Sequence, residues 1–226
     1  MFTKHYGLFL CLFHVSAFLL ILQKNNFINY ILILRSITPM KETLRRHIEE
    51  IIQVTDEEFN FIASCFSSRT FARHEFLVRQ GESVRYTYFV VSGLLKLVYL
   101  DESGKAHILS FAMEDWWETD FFAFYSQSRA TMSLQCLEDS EILCITLPDY
   151  RRLCETLPKI EHFFLRKATS GHIASQQRIL SLLSSDAKGR YEQLLKRHPS
   201  LLQRVPKTLL ASYLGVSRET LSRFSS

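Results

Sequence analysis

The spacing of apolar residues changes period twice along the main body of this chain. Between Lys41 and about Phe66, Leu44, Ile48, Ile51 and Ile52 recur at intervals of three and four, the pattern of an amphipathic helix. Thr55-Asp56-Glu57-Glu58 supplies an N-cap and an acidic first turn for a second short helix, with Phe59, Ile62 and Ala63 as its buried stripe. From Thr70 to about Thr146 the period falls to two. Phe76 and Val78 alternate with Leu77 and Arg79, and Tyr86–Val91, Leu94–Leu100 and His107–Phe111 are short runs dense in β-formers. Gly81, Gly93 and Gly104 separate them, and Asp101-Glu102-Ser103-Gly104-Lys105 reads as a turn between two strands. Short strands at this spacing predict a small antiparallel roll or barrel. After Pro148 the helical period returns: Asp149–Leu157, a long stretch from Lys159 to about Ser185, Asp186–His198 closed by Pro199, then Pro206–Leu214 and Ser217–Phe224 split by Gly215.

Residues 1–39 follow neither period. Gly7 to Leu22 is a 16-residue apolar run broken only by His14 and Ser16, and Phe27 to Leu34 is a second one beyond Gln23-Lys24-Asn25-Asn26. Sixteen residues is short for a membrane span, and no small-x-small cleavage site follows the basic start. Three readings compete: an inner-membrane anchor through residues 7–34, an uncleaved or atypical export signal, or an upstream extension with Met40 as the start. The third is preferred, because Met40-Lys41-Glu42-Thr43-Leu44 opens an ordinary amphipathic helix.

Composition adds modest constraints. The chain has 226 residues, 47% of them hydrophobic, enough for a sizeable core. A net charge of +4 is compatible with a nucleic acid or a membrane surface and equally with an ordinary basic protein. The five cysteines (Cys11, Cys65, Cys136, Cys144, Cys154) are odd in number and lack metal spacing, so no disulfide framework or zinc site is expected, and a cytoplasmic protein body is. No triad, phosphate loop or carboxylate pair stands out, so no catalytic residue is assigned and an enzyme is a poor fit.

The sharpest local signal lies at the C-terminal end. A helix-turn-helix needs a small residue where its two helices approach, a turning residue about four positions on, and apolar residues to lock the pair. Ala211, Gly215, and Leu210, Leu214, Val216 and Leu221 meet those needs. Ser217 caps the second helix. Arg218, Glu219, Ser222 and Arg223 are left on the outward face, where Arg can bond guanine bidentately and Glu can accept from a cytosine amino group. Thr208 and Thr220 complete the candidate DNA-contacting set. The blander alternative is a pair of exposed helices with a solvated charged face.

Gly-Val-Ser-Arg-Glu-Thr-Leu-Ser-Arg resembles the recognition helix of the Crp/Fnr family, whose base-reading Arg, Glu and second Arg match Arg218, Glu219 and Arg223. Arg79-Gln80-Gly81-Glu82 and Tyr88-Phe89-Val90-Val91-Ser92-Gly93 resemble the family's opening strands and turns, and the likeness covers about residues 45–224. Tyr191 to Pro206, with its Leu-Leu-x-Arg-x-Pro run, resembles the Bacteroidetes-type branch. The resemblance implies an α+β protein: an antiparallel β-roll of jelly-roll or cupin-like type with flanking helices, a long dimerisation helix, and a truncated, winged-helix-like helix-turn-helix. It places a sensor domain at 40–158, the dimer helix at 159–185, the DNA-binding segment at 186–226 and a hinge near Ser185–Asp186. Phe164, Ala168, Gly171, Ser175, Arg178 and Leu182 follow heptad spacing and predict the dimer seam.

In cyclic-nucleotide-binding members of the family a Gly-Glu pair and a downstream Arg grip the ribose and the cyclic phosphate. The stretch here, Trp116-Trp117-Glu118-Thr119-Asp120-Phe121-Phe122 then Ser128-Arg129-Ala130, lacks the Gly-Glu pair. Asp120 or Glu118 stands where the Glu would act and Arg129 where the Arg would, with Ala130 beside it. That implies a pocket tuned to a ligand other than cyclic AMP; alternatively Trp116, Trp117, Phe121 and Phe122 simply fill the roll. No iron–sulfur cluster is expected, because its N-terminal cysteine cluster is reduced to Cys11, and a lone His107 on a strand reads as an ordinary surface or core histidine rather than a haem ligand. The implied partners are double-stranded DNA, a second copy of the chain, RNA polymerase and an unidentified small-molecule effector, with a membrane involved only on the anchor reading. The competing class is a membrane-tethered sensor or interaction module with little DNA binding. Because the sequence stops at Ser226, barely past Arg223, the expectation is weaker DNA binding than a relative with a longer recognition helix would show, or a chain that is cut short.

Overall fold

The computed structural model describes residues 39–224; the apolar stretch 7–34, the readings placed on it, and Cys11 lie outside the described residues. Helix α1 covers 39–49 and buries Leu44 and Ile48 as their spacing predicts, whereas Ile51 and Ile52 fall in the turn that ends it, their N–H groups bonding back to the Ile48 carbonyl. Helix α2 (Asp56–Ser64) begins in the expected capping box. The Thr55 hydroxyl accepts from the Glu58 N–H at 3.3 Å, and the Glu58 carboxylate accepts from the Thr55 N–H at 2.7 Å.

The strands form a roll of two four-stranded antiparallel sheets among the described residues. One sheet is ordered β1 (Ser67–Phe71), β8 (Ser140–Thr146), β3 (Tyr86–Ser92), β6 (Trp117–Glu118); the other is β2 (Phe76–Val78), β7 (Ser133–Cys136), β4 (Leu95–Leu100), β5 (Ala106–Ala112). Val90, Leu95, Leu97, Phe124, Leu134 and Ile142 fill the space between them, with Trp116 packed against that core. Gly93, at φ +105°, joins β3 to β4. A Cβ there would press on the Ser140 hydroxyl and lie 2.8 Å from the Asp139 carbonyl, so only glycine fits. Helix α3 (Phe121–Ser126) crosses between β6 and β7.

Helix α4 (Leu147–Thr156) starts two residues earlier than its apolar pattern predicts, because Thr146 caps it through the Asp149 N–H and Pro148 sits inside the first turn, where a missing N–H costs nothing. Helix α5 (Lys159–Ser184) is the long helix, pinned at its start by the Lys159 ammonium, which donates to Glu58 at 2.6 Å and to the Gln53 carbonyl at 2.7 Å. Then follow α6 (Ala187–Arg197), capped by Asp186, α7 (Pro199–Arg204), α8 (Lys207–Leu214) and α9 (Arg218–Phe224). Helix α7 has no counterpart in the periodicity: Pro199, read as a stop, is the first residue of a new helix.

A second core joins the roll to the C-terminal helices. Leu94, Val98, Ile108, Phe111 and Leu137, from the outer face of the second sheet, pack with Leu194, Leu201, Val205, Leu210, Leu214 and Leu221. Residues 186–224 therefore share a core with the roll rather than standing apart. Among the described residues no helix is long and apolar enough to cross a membrane.

Candidate nucleic-acid interface and sensor cassette

The helix-turn-helix is built as its residues require. Leu210, Ala211, Leu214 and Leu221 are buried between α8 and α9, and Val216 is partly so. Gly215 ends α8 in the left-handed conformation (φ +67°), and the Val216 N–H returns to the Ala211 carbonyl at 3.0 Å. Ser217 caps α9: its hydroxyl accepts from the Thr220 N–H at 3.2 Å and pairs with the Thr220 hydroxyl at 3.1 Å. Thr220 is half-buried and held in this way, so its role is structural as well as positional.

Arg218, Glu219, Ser222 and Arg223 lie exposed on one side of α9. Glu219 is not idle there. Its own backbone N–H and the Ser217 hydroxyl donate to its carboxylate, and Arg218 and Arg223 stand near, which together hold it below the usual carboxylate range. The side chain expected to read a base thus occupies the positive end of α9 in the absence of DNA. Thr208 is exposed at the start of α8, away from that group, beside the roll.

Two guanidinium groups fasten this segment to the roll: Arg178, which the heptad spacing placed on the dimer seam, and Arg204, to which the sequence alone assigned no role. Arg204 of α7 donates to Glu114 at 2.8 and 2.9 Å, to Glu138 at 2.6 and 3.0 Å, and to the Gly93 carbonyl at 3.0 Å. Arg178 of α5 donates to the Ile108 carbonyl at 3.1 Å and the Tyr213 carbonyl at 2.9 Å, and stacks 3.6 Å over the Tyr213 ring. Arg190 of α6 adds bonds to the carbonyls of Ser185 (2.6 Å) and Leu214 (2.9 Å), so the expected hinge at Ser185–Asp186 is tied to the end of α8. The Arg204 position lies in the Leu-Leu-x-Arg-x-Pro run, but its partners are 66 and 90 residues distant and no spacing announces them.

The sensor cassette departs from the sequence expectation. Asp120 is wholly buried and caps α3 through the Ala123 N–H at 3.1 Å; its other oxygen accepts from the Thr131 N–H (2.7 Å), the Thr131 hydroxyl (2.8 Å) and the Met132 N–H (3.2 Å). Its lone pairs are committed inside the protein. Glu118 bridges the two sheets: it accepts from the Ser110 hydroxyl at 2.6 Å and from the Thr119 N–H, and burial pushes its carboxyl up to about 7. Arg129 is exposed and donates to the Gly81 carbonyl at 2.8 Å, while Ala130 exchanges backbone bonds with Gly81 and Glu82 at 2.7 Å each. These residues do not fit the ribose and phosphate grips of a cyclic nucleotide, since the candidate carboxylate is already saturated and no glycine backs it. The four aromatics do not act together either. Trp116 enters the core, Trp117 packs against Phe89 and Phe164 on the helical side, and Phe121 and Phe122 face outward, Phe122 at 70% exposure.

The positions of the predicted seam on α5 do not share one exposed face. Phe164 turns inward onto Tyr150 at 4.6 Å, and Arg178 is engaged with its own chain, so two of the six expected positions face home. Ala168, Gly171, Ser175 and Leu182 stay exposed. The outward apolar row runs one position later, through Leu165, Ile179 and Leu183, with Thr169, His172 and Gln176 between them at heptad spacing. His107 is a surface histidine paired with Asp101 at 2.7 Å. The four described cysteines are free and buried, and burial raises the thiols of Cys136 and Cys144 to about 11 and 12. No group of three potential metal ligands occurs among the described residues.

Residues 68–157 match the cyclic nucleotide-binding domain family. The chain is 30% identical over 151 residues to the transcriptional regulatory protein btr of Bordetella pertussis, a match covering 62% of this chain and 61% of that one. It is 23% identical over 194 residues to the cAMP-activated global transcriptional regulator CRP of Haemophilus influenzae, covering 78% of this chain and 86% of that one. Its fold is similar to FixK2 from Bradyrhizobium japonicum, with a TM-score of 0.60 at 15% identity over 71% of this chain and 82% of that one.

Proposed function

We propose that the chain, whose residues 68–157 match the cyclic nucleotide-binding domain and which is similar to named transcription regulators, is a Crp/Fnr-type, ligand-responsive, sequence-specific DNA-binding regulator that acts as a homodimer in the cytoplasm. In this reading residues 40–158 are the sensor, 159–185 the dimer helix and 186–226 the reading segment. The observation that carries it is the α8–α9 pair, whose buried leucines fix α9 so that Arg218, Glu219 and Arg223 stand together on a solvent face. Arg218 and Arg223 supply bidentate donors for guanine and for phosphate; Glu219 leaves the helix start to accept from a cytosine amino group. Ser222 and Thr220 contact the backbone; Thr208, beside the roll, is outside this set. Two copies joined along Leu165, Ile179 and Leu183 would present two α9 helices to half-sites about 34 Å apart.

The effector is a small molecule other than cyclic AMP, since Asp120 has no free acceptor for a ribose. Its differential affinity for two arrangements of roll and reading segment would set DNA affinity, and RNA polymerase is the downstream partner. No catalytic step is part of the proposal. Selection of binding sites from a random duplex pool with the full chain tests it. The expected outcome is an inverted repeat whose half-sites lie one helical turn apart; enrichment of no motif would refute the reading.

A further inference from the structure

Between the roll and the reading segment lies a cleft of about 740 Å³, within the range of small-molecule sites. Its walls come from the β1–β2 turn, β4 and the β7–β8 turn on one side and from the α7–α8 junction on the other. The charges around it are unevenly matched. Arg204 takes both carboxylate oxygens of Glu138 and of Glu114, and one oxygen of Asp139 accepts the Arg73 backbone N–H. Lys96 has no carboxylate within ion-pairing distance among the described residues, although it is half-buried on β4 and burial lowers its ammonium from the ordinary lysine value. The Arg73 guanidinium also lacks a carboxylate among the described residues. Next to it His74 is held at φ +71°, a conformation costly for a side chain with a Cβ.

A desolvated ammonium without a counter-ion is unfavourable, and an anion seated beside it would relieve the cost. We propose that this cleft is a binding site for a small phosphate-bearing anion, held by Lys96 and Arg73 from the roll and by the Thr208 hydroxyl and Gln203 amide from the reading segment. Lysine acts on phosphate as a point charge, and the hydroxyl and amide add directional donors. The site is distinct from the cassette around Asp120 and Arg129. A molecule in it touches both halves of the shared core, so its binding favours the docked arrangement over any in which the two part. The inference does not depend on whether α9 reads DNA.

Calorimetric titration of the full chain with inorganic pyrophosphate, at constant ionic strength, tests it. Saturable binding of one equivalent per chain is expected in the millimolar range or tighter. Lys96→Met should weaken it about tenfold or more, Lys96→Arg should retain it, and Lys105→Met, on the exposed β4–β5 turn, should leave it unchanged. Retention in Lys96→Arg excludes a folding defect as the cause of the loss. No saturable binding to the unaltered chain, equal binding by Lys96→Met, or equal loss in Lys96→Met and Lys105→Met would overturn the proposal.

Discussion

Arg204 and Glu138 are 66 residues apart in sequence and 2.6 Å apart in space, and the same guanidinium grips Glu114 on the neighbouring turn. One arginine thereby holds the reading segment to the two loops that edge the second sheet. All three side chains are partly exposed, so solvent screens the pairs.

Arg204→Ala leaves Glu114 and Glu138 facing each other without a donor. Unfolding free energy should fall by about 1–2 kcal/mol in denaturant titration, and amides of α6 to α8 should exchange faster. The contribution has a definite pH sign. Burial alone would raise the Glu114 carboxyl, but the bonds from Arg204, from its own backbone N–H and from the Gly93 N–H together outweigh it and hold the group below its usual value. Its contribution is therefore present above the unfolded carboxylate value of about 4.3 and lost as pH falls through the folded one. That acid-side component should shrink in Arg204→Ala, which leaves only the backbone N–H bonds to Glu114.

Glu118 works in the opposite direction. Its folded value of about 7 exceeds the reference of 4.5, so the stability it confers is complete below 4.5 and disappears as pH rises through 7. Glu118→Gln keeps an acceptor for Ser110, turns its NH₂ toward the Thr119 N–H from which the other oxygen accepted, and removes the titration. The dependence of stability on pH between about pH 5 and 8 should flatten. An unchanged pH profile by thermal unfolding would contradict the assignment.

Asp120→Asn should behave as a structural lesion. The amide still caps α3, but an NH₂ cannot accept from Thr131 and Met132 where a carboxylate oxygen did, at a cost of about 1–3 kcal/mol. Thermal denaturation should show this with no ligand present. Full stability together with a lost effector response would instead make Asp120 a ligand contact.

Leu183 is 81% exposed on α5, in one outward row with Leu165 at 63% and Ile179 at 57%. Leu183→Glu should dissociate the homodimer, read as a halved mass in analytical ultracentrifugation, whereas a conservative change at Arg178 should leave association intact because that side chain faces its own roll. A dimer that survives Leu183→Glu and fails in Arg178→Lys would restore the seam predicted by spacing.

That seam shows where sequence reasoning works and where it stops. Heptad spacing located the helix and its bounds, since both follow from local periodicity. Two of its six positions, Phe164 and Arg178, face the chain's own residues, because what turns them inward is Tyr150, Tyr213 and the Ile108 carbonyl, all distant in sequence. The helix-turn-helix was legible nearly residue by residue, since Ala211, Gly215 and Ser217 each carry a local conformational reason. The extra helix α7 was hidden because Pro199 is compatible with either an end or a beginning. The cassette misled for a related reason: a carboxylate of the right type at the right place was consumed by the turn that holds it.

The central claim is that Arg218, presented by α9, reads a base. It is tested most directly by measuring the affinity of the unaltered chain and of Arg218→Ala for the selected duplex and for a version with one guanine replaced in each half-site, at one salt concentration. Arg218→Ala is expected to lose about 1–3 kcal/mol per half-site on the selected duplex and no longer to distinguish the two duplexes. Undiminished discrimination by Arg218→Ala would contradict it.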